Sequence, residues 1–259
     1  MKLEICVGDV DGVLTAEHCG ADRAELCHRL DIGGITPTIE DVSVTLDKLI
    51  KRRNQIHPHH INKPDPRRHK PFGLQIIIRP RGGSFEFTDT EAAQMVRQIK
   101  AIRTEAEARS EQLQRCNVKV GYVVGANRET ETAIDVETIR RLRNAAGDAT
   151  LTFHRAFDEI PNWQRALADL KNCGVDRVLT TGKTAGPLTE GLGYSIDGLA
   201  ALQASTNITV LASGRIRAET YRPDLAHVGI CEIHQRAPRP DGTTDPTQIQ
   251  ATLKVLSCK

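Results

Sequence analysis

Eight short runs rich in β-branched residues, each separated from the next by a longer stretch of helical periodicity, most tightly limit what this chain can fold into. The runs cover 2–7, 23–27, 74–79, 118–124, 151–156, 176–181, 208–213 and 230–235. Helical periodicity falls near 10–19, 39–52, 89–112, 135–146, 162–173, 195–204 and 217–225. Eight such β–α units in 259 residues fit a closed parallel sheet better than an open doubly wound one. The expected fold is α/β, a (β/α)8 TIM barrel, as a single domain over 1–259. Thr88 and Glu91 read as a capping box. Two turns share the pattern Cys-Gly-x-Asp-Arg, at 19–23 and 173–177, an internal echo of repeated β–α units.

One stretch breaks the alternation. Residues 51–71 hold seven Lys or Arg, four histidines and four prolines, which excludes a regular helix through most of it. It reads as a basic, His/Pro-rich surface insertion on the N-terminal face. His57, His59, His60 and His69 also admit a weak metal tract, and the basic residues a contact patch.

Composition narrows the function classes. Thirty-five Lys and Arg against 33 Asp and Glu give a net charge of +2, which points to no nucleic-acid or membrane partner. Glu4 and Asp9 stand where an export signal needs a basic and then an apolar region, so a cytoplasmic protein is expected. Seven cysteines without a CxxC pair argue against a disulfide framework or a zinc knuckle. Self-association remains open, because every barrel helix has an apolar face of its own.

Polar residues two apart along a strand share a face. Glu4 with Cys6, Glu25 with Cys27, Ile77 with Arg79, Thr152 with His154, and Glu232 with His234 therefore put ionisable groups on one face of five strands. The outer faces are covered by helices, so these groups must point inward and pair, or line a pocket at the C-terminal mouth. The pocket is the better account. Glu25, His154, Asp158, Glu232 and His234 are candidates for acid–base chemistry. Arg79, Arg81 and Arg155 can clamp a carboxylate or phosphate, and the glycine-bearing turns at Gly182, Gly214 and Arg215 can add a phosphate cradle. Cys6, Cys27 and His234 suit Cu(I) or zinc, whereas Glu25, Glu232 and histidine suit a harder ion. Structural uses compete throughout: ion pairs within the barrel for the charged groups, and inert packing for the cysteines.

The ordered segments LEICV, ADRAELC, GGITP, IIRPRGG, FHRAFD, VDRVLTTG and EIH resemble the CutC family over residues 2–237. The resemblance implies a TIM barrel, a cytoplasmic protein, copper handling, and a mouth built from Cys6, Glu25, Cys27, Arg79, Arg81, His154, Arg155, Asp158, Glu232 and His234. Two departures add positive charge: Ser213-Gly214-Arg215 in place of a glycine pair, and Arg236 in place of a small serine. Two functions are thus expected as alternatives. One is Cu(I) binding in copper homeostasis; the other is a lyase, isomerase or hydrolase acting on a small phosphorylated or carboxylated metabolite.

Overall fold

The computed structural model describes residues 1–55, 70–128 and 132–257. In chain order its elements begin with β1 (Lys2–Val7), α1 (Val10–Cys19), β2 (Arg23–Leu26), α2 (Ile39–Gln55), β3 (Phe72–Ile77), α3 (Asp89–Glu107) and α4 (Ser110–Arg115). They continue with β4 (Val118–Val124), the hairpin β5 (Asn127–Arg128) and β6 (Ala133–Ile134), α5 (Val136–Ala146), β7 (Thr150–Phe153), α6 (Trp163–Asn172) and β8 (Arg177–Thr180). The chain ends in α7 (Ile196–Ser205), β9 (Thr209–Ala212), α8 (Asp224–His227), β10 (Glu232–Arg236) and α9 (Pro246–Ser257). Apart from the β5–β6 hairpin, the strands are parallel, follow one another around a barrel in sequence order, and close where β10 pairs with β1. This is the (β/α)8 architecture expected from the alternation.

The alternating strand pattern sorts into two environments. Leu3, Ile5, Leu26, Leu74 and Ile76 join Val13, Leu46, Met95 and Ile99 of the helices in one apolar core, which therefore lies between barrel and helix layer. The other strand face looks into the lumen. Arg177 on β8 donates to Gln75 Oε1 on β3 at 2.9 Å, although β7 and β4 stand between those strands, so the bond crosses the interior.

The lower lumen is an ion network rather than the layered hydrocarbon common in such barrels. Arg23 donates to Glu4 Oε2 and to Glu232 Oε2, each at 2.7 Å. Lys2 reaches Glu232 Oε1 at 3.2 Å, and Arg177 Nη1 lies 3.8 Å from Glu232 Oε2. Gly73 makes room for this arrangement, since a Cβ there would lie 2.6 Å from Arg23 Cγ. The Cys-Gly-x-Asp-Arg echo explains where the two arginines come from. Gly20 and Gly174 close their helices in the left-handed region, with φ of 95° and 72°. Asp22 and Asp176 each accept from the amide of the preceding strand, Leu3 and Leu151, at 2.8 Å. Arg23 and Arg177 then enter the lumen from strands half a barrel apart.

Several boundaries differ from those read in the sequence. The third strand runs 72–77, not 74–79, because the Arg79 amide leaves the ladder for Thr36 Oγ1. The fifth run stops at Phe153, where His154 caps a 3-10 turn over Arg155–Glu159. The long helix expected at 89–112 breaks into α3 and α4 around Arg109. The segment expected as helix 217–225 is largely turn, and only Asp224–His227 is helical, beginning just after Pro223. Helix α9, opened by Pro246, was not anticipated. The capping box at Thr88 and Glu91 forms as expected. Of the 51–71 insertion, 51–55 extends α2 and 70–71 leads into β3; the histidines at 57, 59, 60 and 69 lie outside the described residues.

Breaking the lumen network strands a buried charge. Arg23→Met, which leaves Glu4 and Glu232 without their shared partner, is expected to lower unfolding free energy by about 3–5 kcal/mol in urea titrations at neutral pH.

Candidate metal and ligand site at the barrel mouth

Strands β1 and β2 run side by side, with Cys6 opposite Glu25 and the Cys27 amide bonded to Val7 O just beyond. That register brings the Cys6 and Cys27 sulfurs to 3.8 Å. With a Glu25 carboxylate oxygen they form a cluster whose possible ligand atoms all lie within 4.8 Å of one another. The cluster lines a cavity of about 140 Å3 at the C-terminal mouth, together with Leu30, Ile77, Phe85, His154, Arg155 and Leu179. All six cysteines among the described residues are free, so this pair is a dithiol and not a disulfide.

The ion network below sets the protonation of the cluster. Burial disfavours a charged Glu4, but Arg23 and His234 outweigh it and hold the carboxyl well below its usual range. His234 Nδ1 lies 2.9 Å from Glu4 Oε1. Burial opposes charge on His234 too, but Cys6 and Glu4 overcome it and keep the ring protonated well above its usual value. Its Nε2 faces Glu25 Oε2 at 3.7 Å. The contact with the Cys27 sulfur outweighs burial and pushes the Cys6 thiol well down, with His234 assisting. The same bond raises Cys27, and burial adds to the rise. Burial followed by the Cys6 charge raises Glu25 well above the usual carboxylate range. The mouth thus favours charge on Cys6 and His234 and disfavours it on Cys27 and Glu25.

The opposite wall is built by β7. His154 Nδ1 accepts from the Ala156 amide at 3.2 Å, and the ring packs 4.7 Å from the Phe85 centroid. A Cβ at residue 125 would collide with this ring, so Gly125 is the floor on which the imidazole lies. Burial, and then the positive charge of Arg79, push His154 down to about 3. The surroundings therefore shift the two mouth histidines in opposite directions.

The other residues expected in the mouth divide between the cavity lining and bonds elsewhere. Glu25, expected in acid–base chemistry, joins the two cysteines in the metal-capable cluster; His234, expected as the third ligand, lines the same cavity, with Nδ1 bonded to Glu4 and Nε2 facing Glu25. Glu232 pairs with residue 2 in the β1–β10 register, at the far end of the barrel, and binds Arg23 there. Asp158 accepts from Thr180 Oγ1, Thr181 and Arg155, and ties the 3-10 turn to the end of β8 without touching His154. Arg79 lines the cavity, but its Nη groups donate to the carbonyls of Gly33, Gly34 and Gly83. Arg81 binds Glu91 and the Ser84 and Glu86 carbonyls. The Gly182 amide goes to Thr180 Oγ1, Gly214 packs on the backbone of Gly193, and Arg215 is exposed; none of these three lines the mouth cavity. Sequence reasoning missed Phe85, Arg23 and Arg177. The repeated Asp-Arg pair was the signal for both arginines, while a lone phenylalanine after a glycine turn gave none.

The buried neutral His154 makes stability pH-dependent. An unfolded imidazole titrates near 6.5, so between that value and about 3 the unfolded chain binds the extra proton and stability falls as pH drops, by at most about 1.4 kcal/mol per unit. His234 acts in the opposite sense: its stabilisation is complete below pH 6.5 and is lost only as pH rises through its raised folded value. Glu25, raised by burial, opposes His154 across this range, as His234 does, so the His154 contribution is read by difference: from pH 6.5 to 5.0 the urea midpoint of wild type is expected to fall relative to that of His154→Gln. An unchanged slope in the variant would show that His154 is not the group responsible.

The CutC family profile matches residues 1–238. A CutC family protein of Mesorhizobium japonicum is 32% identical over 232 residues, spanning 90% of this chain and 76% of the relative. One from Bacteroides thetaiotaomicron is 31% identical over 233 residues, spanning 90% of this chain and 79% of the relative. A solved CutC structure from Streptococcus agalactiae superposes with a TM-score of 0.68 at 23% identity, covering 90% of this chain and 97% of that one, a likeness of fold. With a dithiol mouth on a closed (β/α)8 barrel and relatives of this extent, the chain belongs to the CutC family.

Proposed function

We propose that this protein acts in copper homeostasis and binds Cu(I) as its cargo at Cys6 and Cys27, with Glu25 as the neighbouring oxygen donor. The observation that carries this reading is the pair of sulfurs 3.8 Å apart, recessed in the mouth beside a carboxyl group. Soft thiolates select Cu(I) and zinc over hard cations. Metal–sulfur bonds of about 2.3 Å bridge such a span without moving either strand. Structural zinc prefers four protein ligands, and the cluster offers three, only two of them soft. The Streptococcus agalactiae relative also carries a name in copper homeostasis.

Binding converts the Cys27 thiol to thiolate, and the released proton makes affinity rise with pH. The reading calls for a reducing compartment such as the cytoplasm, where thiols persist. Among the described residues no helix is long and apolar enough to cross a membrane.

Anaerobic Cu(I) titration against a competing chelator is the direct test. Wild type should bind one equivalent, and Cys6→Ser or Cys27→Ser should each weaken binding by at least about 100-fold, the upper range for loss of even an outer partner. Retention of tight binding by both variants would sink the assignment.

A further inference from the structure

The N-terminal end of the barrel, opposite the thiol pair, opens on a larger cavity of about 340 Å3. Lys2, Arg23, Gln75, Lys119, Thr150 and Arg177 bring polar side chains to its lining. Strand register builds it. Arg23 on β2 stands opposite Gly73 on β3, and Gly73 opposite Lys119 on β4, so two cations flank a position without a side chain. Arg177 on β8 and Gln75 are buried, whereas Lys119 is exposed at the rim.

The uncommitted side-chain atoms here can all donate. Arg177 spends Nε and Nη2 on the neutral oxygens of Thr152 and Gln75, and Arg23 spends the same atoms on Glu4 and Glu232. Because Gln75 Oε1 accepts from Arg177, its Nε2 is the end left over. That amide nitrogen, Arg177 Nη1, Lys119 Nζ and the Thr150 hydroxyl have no hydrogen bond among the described residues, and none of them is an orphan sealed from solvent. Charge is unbalanced in the same sense. Five cations line the cavity, against the carboxylates of Asp22, Glu4 and Glu232. Asp22 is held by Lys70, Glu4 is shared by Arg23 and His234, and Glu232 binds Lys2 and Arg23 and lies 3.8 Å from Arg177. Lys119 has no ion pair among the described residues. Burial and then the Arg23 charge act against the Arg177 cation, so an anion beside it is stabilising.

We propose that this N-terminal cavity binds a small phosphate monoester, whose phosphate oxygens accept from Arg177 Nη1, Gln75 Nε2 and Lys119 Nζ. A phosphate monoester carries close to two negative charges at neutral pH and three acceptor oxygens, which matches two under-compensated cations and several converging donors. A monocarboxylate would answer only half of that charge. The volume exceeds what a phosphate group fills and leaves room for a short carbon body against Pro71. The site is separate from the metal cluster and does not depend on it.

The test is a chemical-shift titration of the reduced, metal-free full chain with glycerol 3-phosphate, following the Gln75 side-chain amide, which an ion scattered over surface lysines would not move. A saturable shift is expected, with weaker binding of inorganic phosphate and none of glycerol or acetate. Affinity should fall between pH 7.5 and 5.0 as the ligand loses its second charge near pH 6. Lys119→Gln, an exposed change that breaks no bond among the described residues, should weaken binding by about 5-fold, the scale of one exposed charge pair. Lys119→Arg should recover most of that loss. Cys6→Ser should leave phosphate binding in place, so failure of the copper reading and failure of this one are separable. A Gln75 amide that does not respond, acetate or inorganic phosphate binding as tightly as the monoester, or unchanged affinity in Lys119→Gln would overturn the proposal.

Discussion

The pairing of Arg23 with Glu4 and Glu232 inside the barrel is the interaction on which the remaining chemistry depends. A guanidinium in the lower lumen fixes Glu4 as a carboxylate, and that carboxylate holds His234 as an imidazolium. The imidazolium in turn favours a thiolate at Cys6, whose charge helps keep Glu25 protonated. Charges alternate in sign from the N-terminal end to the mouth, so each buried group is stabilised by the next. A buried ion pair adds little net stability against a hydrocarbon alternative. Its contribution here is to determine which mouth groups are ionised.

The two histidines show how position overrides residue type. His234 is between a carboxylate and a sulfur and stays charged; His154 is on glycine and phenylalanine beside an arginine and stays neutral. One wall of the chamber is therefore anionic and soft, suited to a thiophilic ion. The other presents a neutral imidazole and an arginine paired with Asp158. The loop arginine Arg79 separates them without serving either directly, since it bonds the backbone of the loops after β2 and β3 and shapes the rim.

The lumen also preserves a half-barrel repetition. Asp22 and Asp176 make equivalent bonds to the preceding strands, and Arg23 and Arg177 project from strands half a barrel apart toward Glu232. The symmetry is confined to the floor. At the mouth the corresponding strands end differently, with Cys6 on β1 against His154 on β7, which is how one chamber acquires two unlike walls.

Much of this was legible in the sequence because it depends on local periodicity. Alternating runs required eight β–α units, and parallel strands covered by helices forced Glu4, Cys6, Glu25 and Cys27 inward. The Cys-Gly-x-Asp-Arg turns marked two helix ends, and Thr88 with Glu91 marked a helix start. Closure of eight strands placed β10 and His234 beside β1, but which carboxylate meets which cation across the lumen was not legible, since that depends on the depth at which each side chain sits. For that reason Glu232 and Asp158 read as mouth residues but bind Arg23 and the β8 terminus, and Arg81 reads as an anion clamp but binds Glu91. Strand periodicity determined which side chains enter the lumen; only barrel closure and the low-dielectric interior decided their depth, their partners and their charge.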